Sequence, residues 1–251
     1  RQEADMEVMR TARENLRKIA PKSLVLISSI AVFADSRGRC EGDAPDTDGL
    51  PAYGRNRLQL EQWVREDFND ALIVRLPALY GAGLKKNFLF DLHTITPAML
   101  KPEKYNELAA KSLLVKTGYT LADNGFYKLN GTADKTALKE FFAGNDFNAL
   151  AFTDSRSRYQ FYNLGRLWQD IETARAAGLT MLHLCTPPIS AAEVYTAVTG
   201  KADWTNELPK SPFDYDLRSR YAAVLGGSGD YLCTKEEELD DVTHFLREWR
   251  D

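Results

Sequence analysis

Two short, uninterrupted apolar runs constrain this chain more than any other feature. Ser23-Leu24-Val25-Leu26-Ile27-Ser28-Ser29 ends in small polar residues, and Ala71 to Leu76 ends at Pro77. Runs of this length without alternation are the form of strands buried on both faces in a parallel sheet. Between them, about Ala52 to Phe68 has helical periodicity, and Tyr53, Arg57, Leu60 and Val64 share one stripe that is predicted to face inward. Strand, helix, strand in this order implies a right-handed parallel crossover. The chain is therefore predicted to be an α/β protein with a doubly wound parallel sheet.

The rest of the chain fits around that unit. Glu3 to Ile19 carries Met6, Met9, Leu16 and Ile19 at helical intervals among charged neighbours, with Pro21 just past the end, which describes a surface helix. A loop rich in Gly, Asp and Pro follows from Asp35 to Pro51, and Phe88 to Leu100 is weakly helical. From Pro102 to about Tyr159 the β/α rhythm lapses, and this stretch reads as an insert or small lobe. The rhythm resumes with a strand at Gln160–Leu164, a helix at Arg166–Ala177, a strand at Leu179–Cys185 and a helix at Ser190–Thr199. Ser190 and Glu193 form a capping box on that helix. A last helix spans Lys235 to Trp249. The division expected is residues 1–101 as the sheet-building part and residues 102–251 as a smaller lobe, whose segment 160–199 rejoins the core. Phe141, Phe142, Phe147, Phe152, Tyr159, Phe161 and Tyr162 crowd the end of the insert and read as its core rather than as a base-stacking platform.

Composition narrows the partners. Lys and Arg number 32 against 36 for Asp and Glu, in no large block, so nucleic acid is not the expected partner and a small or anionic organic ligand is. Cys40, Cys185 and Cys233 are widely spaced without a C-x-x-C pair, which argues against a disulfide framework or structural zinc and suits a reducing cytoplasm. His93, His183 and His244 lack metal-ligand spacing, and His183, inside an apolar strand, reads as a satisfied core histidine. No apolar run approaches the roughly 18–20 residues of a membrane span, and the start is not a signal peptide. The sequence starts at Arg1, within the first helical pattern, and is expected to be the C-terminal part of a longer chain.

In open parallel sheets, ligands settle beyond the carboxyl ends of the strands. Ser28 and Ser29 close one strand, Pro77 follows the other, and Tyr53 and Arg57 stand in the first turns of the helix between them, so three segments converge on one crevice. A cation one helical turn from a tyrosine favours the phenolate, so Tyr53 is expected to exchange a proton with a substrate hydroxyl or carbonyl. Ser29 would hold the same oxygen.

Leu26-Ile27-Ser28-Ser29-Ile30-Ala31-Val32-Phe33, followed by Tyr53-Gly54-Arg55-Asn56-Arg57, resembles the Ser…Tyr-x-x-x-Lys arrangement of extended short-chain dehydrogenases/reductases. Val74 to Gly83 resembles that family's R-x-P-x-x-Y-G-x-G segment, and Trp168-Gln169-Asp170-Ile171 and Ser190 to Val194 look like its later landmarks. The resemblance implies a Rossmann-like sheet with a smaller substrate-binding lobe, NAD or NADP as cofactor, a nucleotide-sugar substrate and a homodimer. It implies catalytic roles for Tyr53, Arg57 and Ser29, and places Tyr53, Arg57, Pro77 and Ser28 at the cofactor. Ser29 and Asn87 fall to the substrate, Asn87 because it resembles a family asparagine that contacts it, and Arg158, with Arg156 beside it, is a further substrate candidate because a bidentate guanidinium suits phosphate.

Two departures stand out. Arg57 replaces the family lysine, and because arginine effectively never deprotonates it closes any proton relay through that position. The glycine-rich loop that cradles a pyrophosphate is absent from these 251 residues and is expected upstream of Arg1. Ile30 and Ala31 stand where dehydratases of the family carry an acidic pair, which favours epimerisation or reduction over dehydration. Alternatives from other classes are a catalytically silent module that binds a nucleotide or a partner protein, and a sugar-nucleotide sensor.

Overall fold

The computed structural model describes residues 2–249. It opens with α1 (Gln2–Ile19), β1 (Val25–Ser29), a single 3-10 turn at Ile30–Val32, α2 (Ala52–Asp67), β2 (Leu72–Leu76), β3 (Ala78–Tyr80) and α3 (Asn87–Thr94). The middle contains β4 (Met99–Leu100), α4 (Pro102–Ala109), α5 (Leu113–Gly118), β5 (Tyr119–Leu121), β6 (Tyr127–Leu129) and α6 (Lys135–Ala143). It continues through β7 (Arg158–Tyr159), β8 (Phe161–Asn163), α7 (Leu167–Ala176), β9 (Met181–His183), β10 (Ile189–Ser190), α8 (Ala191–Thr199) and α9 (Lys235–Glu248).

β1, β2 and β9 form a parallel sheet in the order β1-β2-β9. Its central strand β2 is buried throughout, which is why its sequence is a continuous apolar run. Leu72, Val74 and Leu76 pack with Ile171 and Ala174 of α7, whereas Ile73 packs with Val64 of α2. Helices thus cover opposite faces, the doubly wound arrangement expected. The short parallel pair β3-β8 extends the strand ends beyond Pro77, which is itself buried. α1 buries only Met9 among its described apolar residues. It is pinned to α2 by ion pairs of Arg13 and Arg17 with Asp67, at 2.7 Å each.

The middle stretch has its own order. β4, β6 and β5 make a small antiparallel sheet in that sequence, and Leu100, Leu108, Val115, Tyr119, Leu138 and Phe142 form a separate core with α4, α5 and α6. Its two ends meet where the Ala149 amide donates to the Ile95 carbonyl at 2.9 Å, so this lobe is a closed excursion between residues 95 and 149. The aromatic cluster divides between regions. Phe141, Phe142 and Phe147 serve the lobe, but Phe161 and Tyr162 are buried in two cores of the main body and Phe152 is exposed. Strand pairing explains this, because β8 joins β3 rather than the lobe. The capping box of Ser190 and Glu193 forms as expected.

Candidate active site

The register of the sheet decides where the candidate residues lie. Ser29 pairs with Leu76, so Ser29 and Pro77 stand at the same carboxyl rim. Ser29 caps the 3-10 turn, its Oγ accepting from the Ala31 amide at 3.2 Å while its hydroxyl proton remains to be donated. The first turn of α2 presses directly on that turn. A Cβ built on Gly54 would lie 2.1 Å from the Ala31 carbonyl oxygen, so only glycine permits the approach that brings the neighbouring Tyr53 beside the strand end.

Tyr53 is 52% exposed at this rim, accessible to a bound molecule. The Arg57 guanidinium lies over its ring, 5.1 Å from the centroid, and reaches Asp5 of α1 at 3.7 Å. The cation therefore meets the phenol from the ring face, and its buried Nε has no partner among the described residues. Asp5 also accepts from Asn56 at 2.7 Å, so one carboxylate of α1 orients this whole turn of α2.

The expected inward stripe of α2 is rotated. Gly54, Leu58, Glu61 and Val64 are its inner face, while Tyr53 is exposed and Arg57 and Leu60 are only partly buried. The cause is a charge that the apolar pattern of β2 conceals. Arg75, in the middle of the buried strand, is ion-paired with Glu61 of α2 at 2.7 Å and stacks over Phe33 at 4.9 Å. Burying an arginine requires a carboxylate partner, and Glu61 must face inward to supply it.

That pair extends into a network. Arg75 donates to His183 Nε2 at 3.2 Å, and since arginine only donates, Nε2 accepts and Nδ1 carries the proton given to the Arg218 carbonyl at 2.9 Å. Burial pushes His183 down to about 4, leaving it neutral. Its amide donates to Glu41, which also accepts from Ser219 and from the Arg220 amide. His183 is thus the satisfied core histidine expected from sequence.

Ser28 belongs to this network rather than to the crevice. Its hydroxyl donates to Glu61 at 2.6 Å in the buried interior, because strand alternation turns adjacent serines to opposite sides. Asn87 is likewise committed: its side-chain amide donates to the Leu79 carbonyl at 2.6 Å and its Oδ1 accepts from the Leu89 amide at 2.9 Å, while its own φ is 66° at the start of α3. Arg158 lies on β7, paired with Asp214 at 3.2 Å, and Arg156 is held by Asp154 at 2.8 Å and Glu207 at 2.9 Å. The first turn of α2, with Arg57 over the Tyr53 ring, packs on the turn after Ser29, and Ser29 is level with the strand end before Pro77; Ser28, Asn87, Arg158 and Arg156 are engaged elsewhere. Sequence reasoning passed over Glu61 and Arg75 as a pair, although an arginine inside an otherwise apolar strand was the available signal.

Residues 1–99 match the sequence model of the RmlD substrate binding domain. No curated protein sequence matches the chain. Its fold is similar to UDP-glucuronic acid 4-epimerase from Bacillus cereus, solved with UDP-glucuronic acid and NAD, at a TM-score of 0.56 and 13% identity over 97% of this chain. The chain has a Rossmann-like α/β fold with parallel sheets. It is also similar to a dTDP-glucose 4,6-dehydratase from Streptomyces venezuelae solved with NAD, with a TM-score of 0.52, 14% identity and 98% of this chain covered. A third similar structure is dTDP-4-dehydrorhamnose reductase from Yersinia enterocolitica, with a TM-score of 0.50, 16% identity and 97% covered. This chain spans 67%, 66% and 71% of those three, respectively. Among the described residues no helix is long and apolar enough to cross a membrane, and no group of three or more His, Cys, Asp or Glu could hold a metal ion.

Proposed function

We propose that this chain carries the catalytic rim of an NAD- or NADP-dependent enzyme that epimerises, reduces or dehydrates a nucleotide sugar. The observation that carries the reading is the contact of Gly54 with the turn after Ser29, which gathers an accessible tyrosine, a hydroxyl with a free proton and a guanidinium at the carboxyl rim of a parallel sheet. The three similar folds, an epimerase, a dehydratase and a reductase, support the substrate class.

The residues fit the nicotinamide end of such a cofactor. The exposed Tyr53 and the strand end before Pro77 lie on one rim, and the Arg57 guanidinium beside the Tyr53 ring can donate to a ribose hydroxyl. The bound dinucleotide supplies hydride-transfer chemistry. The chain's own groups handle the proton: Tyr53 gives or takes it at the substrate oxygen, Ser29 donates a hydrogen bond to the same oxygen, and Arg57 holds its cation over the Tyr53 ring. Asp5 and Asn56 hold the helical turn that presents them.

The test is Tyr53→Phe in the protein. Turnover should fall by roughly 10²–10⁴-fold while dinucleotide affinity and the thermal transition stay put; undiminished turnover refutes the role. A second reading, ligand binding without turnover, is favoured by the engagement of Arg57 with Asp5 and the tyrosine ring. Arg57→Lys separates the two, since loss of turnover identifies arginine as the working cation and a large gain identifies a weakened site.

A further inference from the structure

Between α3 and the inserted lobe lies a cleft of about 680 Å³, the size of a site for a small organic molecule. Lys85 precedes α3, Lys128 lies on β6, and Lys135 and Lys139 stand one turn apart on α6; all four line this cleft, and among the described residues no Asp or Glu does. That is a local reversal in a chain of net charge −4. None of these four ammonium groups has an ion pair or side-chain hydrogen bond among the described residues.

The walls are of the other chemical kind. Phe90, Met99 and Leu129 supply apolar surface, and Met99 is 45% exposed. Thr96, also lining the cleft, is 7% exposed and its hydroxyl has no partner among the described residues, although buried hydroxyls are normally satisfied. Tyr53, Ser29 and Pro77 do not line it. Three of the four lysines belong to the inserted lobe, so the lobe creates the cleft rather than merely enlarging the rim of the sheet.

We infer that this cleft is a separate binding site for an organic phosphate with an aromatic or compact apolar body. Four lysines around one cleft focus a positive field into a concave space, and an anion there is attracted while their mutual repulsion is relieved. Lysine acts as a point charge without the planar fork that selects a flat carboxylate, which suits a phosphate approached from several sides. The apolar wall holds the body of the ligand, so neither charge nor body alone suffices.

Calorimetric titration of the whole protein with 1-naphthyl phosphate tests this. Saturable binding is expected at least tenfold tighter than that of inorganic phosphate or 1-naphthol, weakening as salt is raised. Lys135→Gln with Lys139→Gln, both at exposed positions, should weaken it tenfold or more without shifting the thermal transition. Tyr53→Phe should leave it unchanged, so loss of the active-site reading and loss of this one are told apart. Absence of saturable binding, equal affinity in the double variant, or equal affinity for 1-naphthoate overturns the assignment.

Discussion

Around Arg75, charged and titratable side chains are buried and satisfied, whereas around the cleft of the inserted lobe the lysines are exposed and unpaired. Arg75, Glu61, His183 and Glu41 close their hydrogen bonds on one another and on nearby backbone, and in doing so tie α2 to β2 and β9. Lys85, Lys128, Lys135 and Lys139 tie nothing together among the described residues. The contrast separates charge that serves architecture from charge left for a ligand. A buried ion must be compensated by the fold because desolvation is costly, while repulsion among exposed ammonium groups is weak in water and salt and can stand until an anion arrives. The compensated network also serves the candidate chemistry indirectly, since it fixes the face of α2 that turns inward and hence the rim position of Tyr53.

The comparison can be broken most forcefully at its buried half. Arg75→Leu strands the Glu61 carboxylate and should cost about 3–5 kcal/mol in urea unfolding, with Arg75→Leu combined with Glu61→Leu recovering much of the loss. A cost below about 1 kcal/mol for the single variant would remove the network as the anchor of α2. Gly54→Ala tests the packing beside it. The new Cβ meets the backbone at Ala31 O, which cannot rotate away, so a loss of roughly 1–3 kcal/mol is expected, together with reduced turnover as Tyr53 shifts from Ser29. Unaltered stability and activity would show that the two turns need not touch.

The smallest effect sharpens the rule that buried charge must be compensated. Glu238 of α9 is 2% exposed, with one oxygen accepting from the Phe161 amide and Thr186 and the other unpartnered among the described residues; burial pushes its carboxyl up to about 8. A carboxyl raised in the folded state holds its proton after the unfolded chain has released its own. Its contribution to stability is therefore present at low pH and lost as pH rises from the ordinary carboxylate range toward 8. His183, pushed down to about 4, acts in the opposite sense, its contribution being lost as pH falls below about 6.5. The two trends offset each other in the acid range, and above about pH 6.5 only that of Glu238 remains. Glu238→Gln should flatten the decline between pH 6.5 and 8, where one proton's difference is worth up to about 1.4 kcal/mol per pH unit. The same slope in the variant, measured by chemical denaturation at several pH values, would place the titration elsewhere.

Much of this was legible in the residues. The apolar runs at β1 and β2 marked a parallel sheet because a strand covered on both faces has no polar side to show. The Ser190 and Glu193 cap and the long helices α2 and α9 were equally readable, since their signals lie within one or two turns. The stripe of α2 was misread because apolar periodicity weighed Leu60 and Val64 and ignored Glu61, which faces inward to meet Arg75. In the lobe, β4, β5 and β6 have two or three residues each, too short to carry a period of their own. Ser28 and Ser29 are indistinguishable as letters and differ only by which side of the strand each occupies.

By itself the sequence determined the class of fold, the order of the main-body elements and the local motif that sets Tyr53 one turn before Arg57, because all of these rest on near neighbours along the chain. Which serine borders the crevice, which face of α2 is buried, and the gathering of four lysines from three segments were decided by the tertiary structure alone. Each of these depends on partners far apart in sequence, and the desolvation of an ion or the repulsion of like charges acts through space with no periodic trace along the chain.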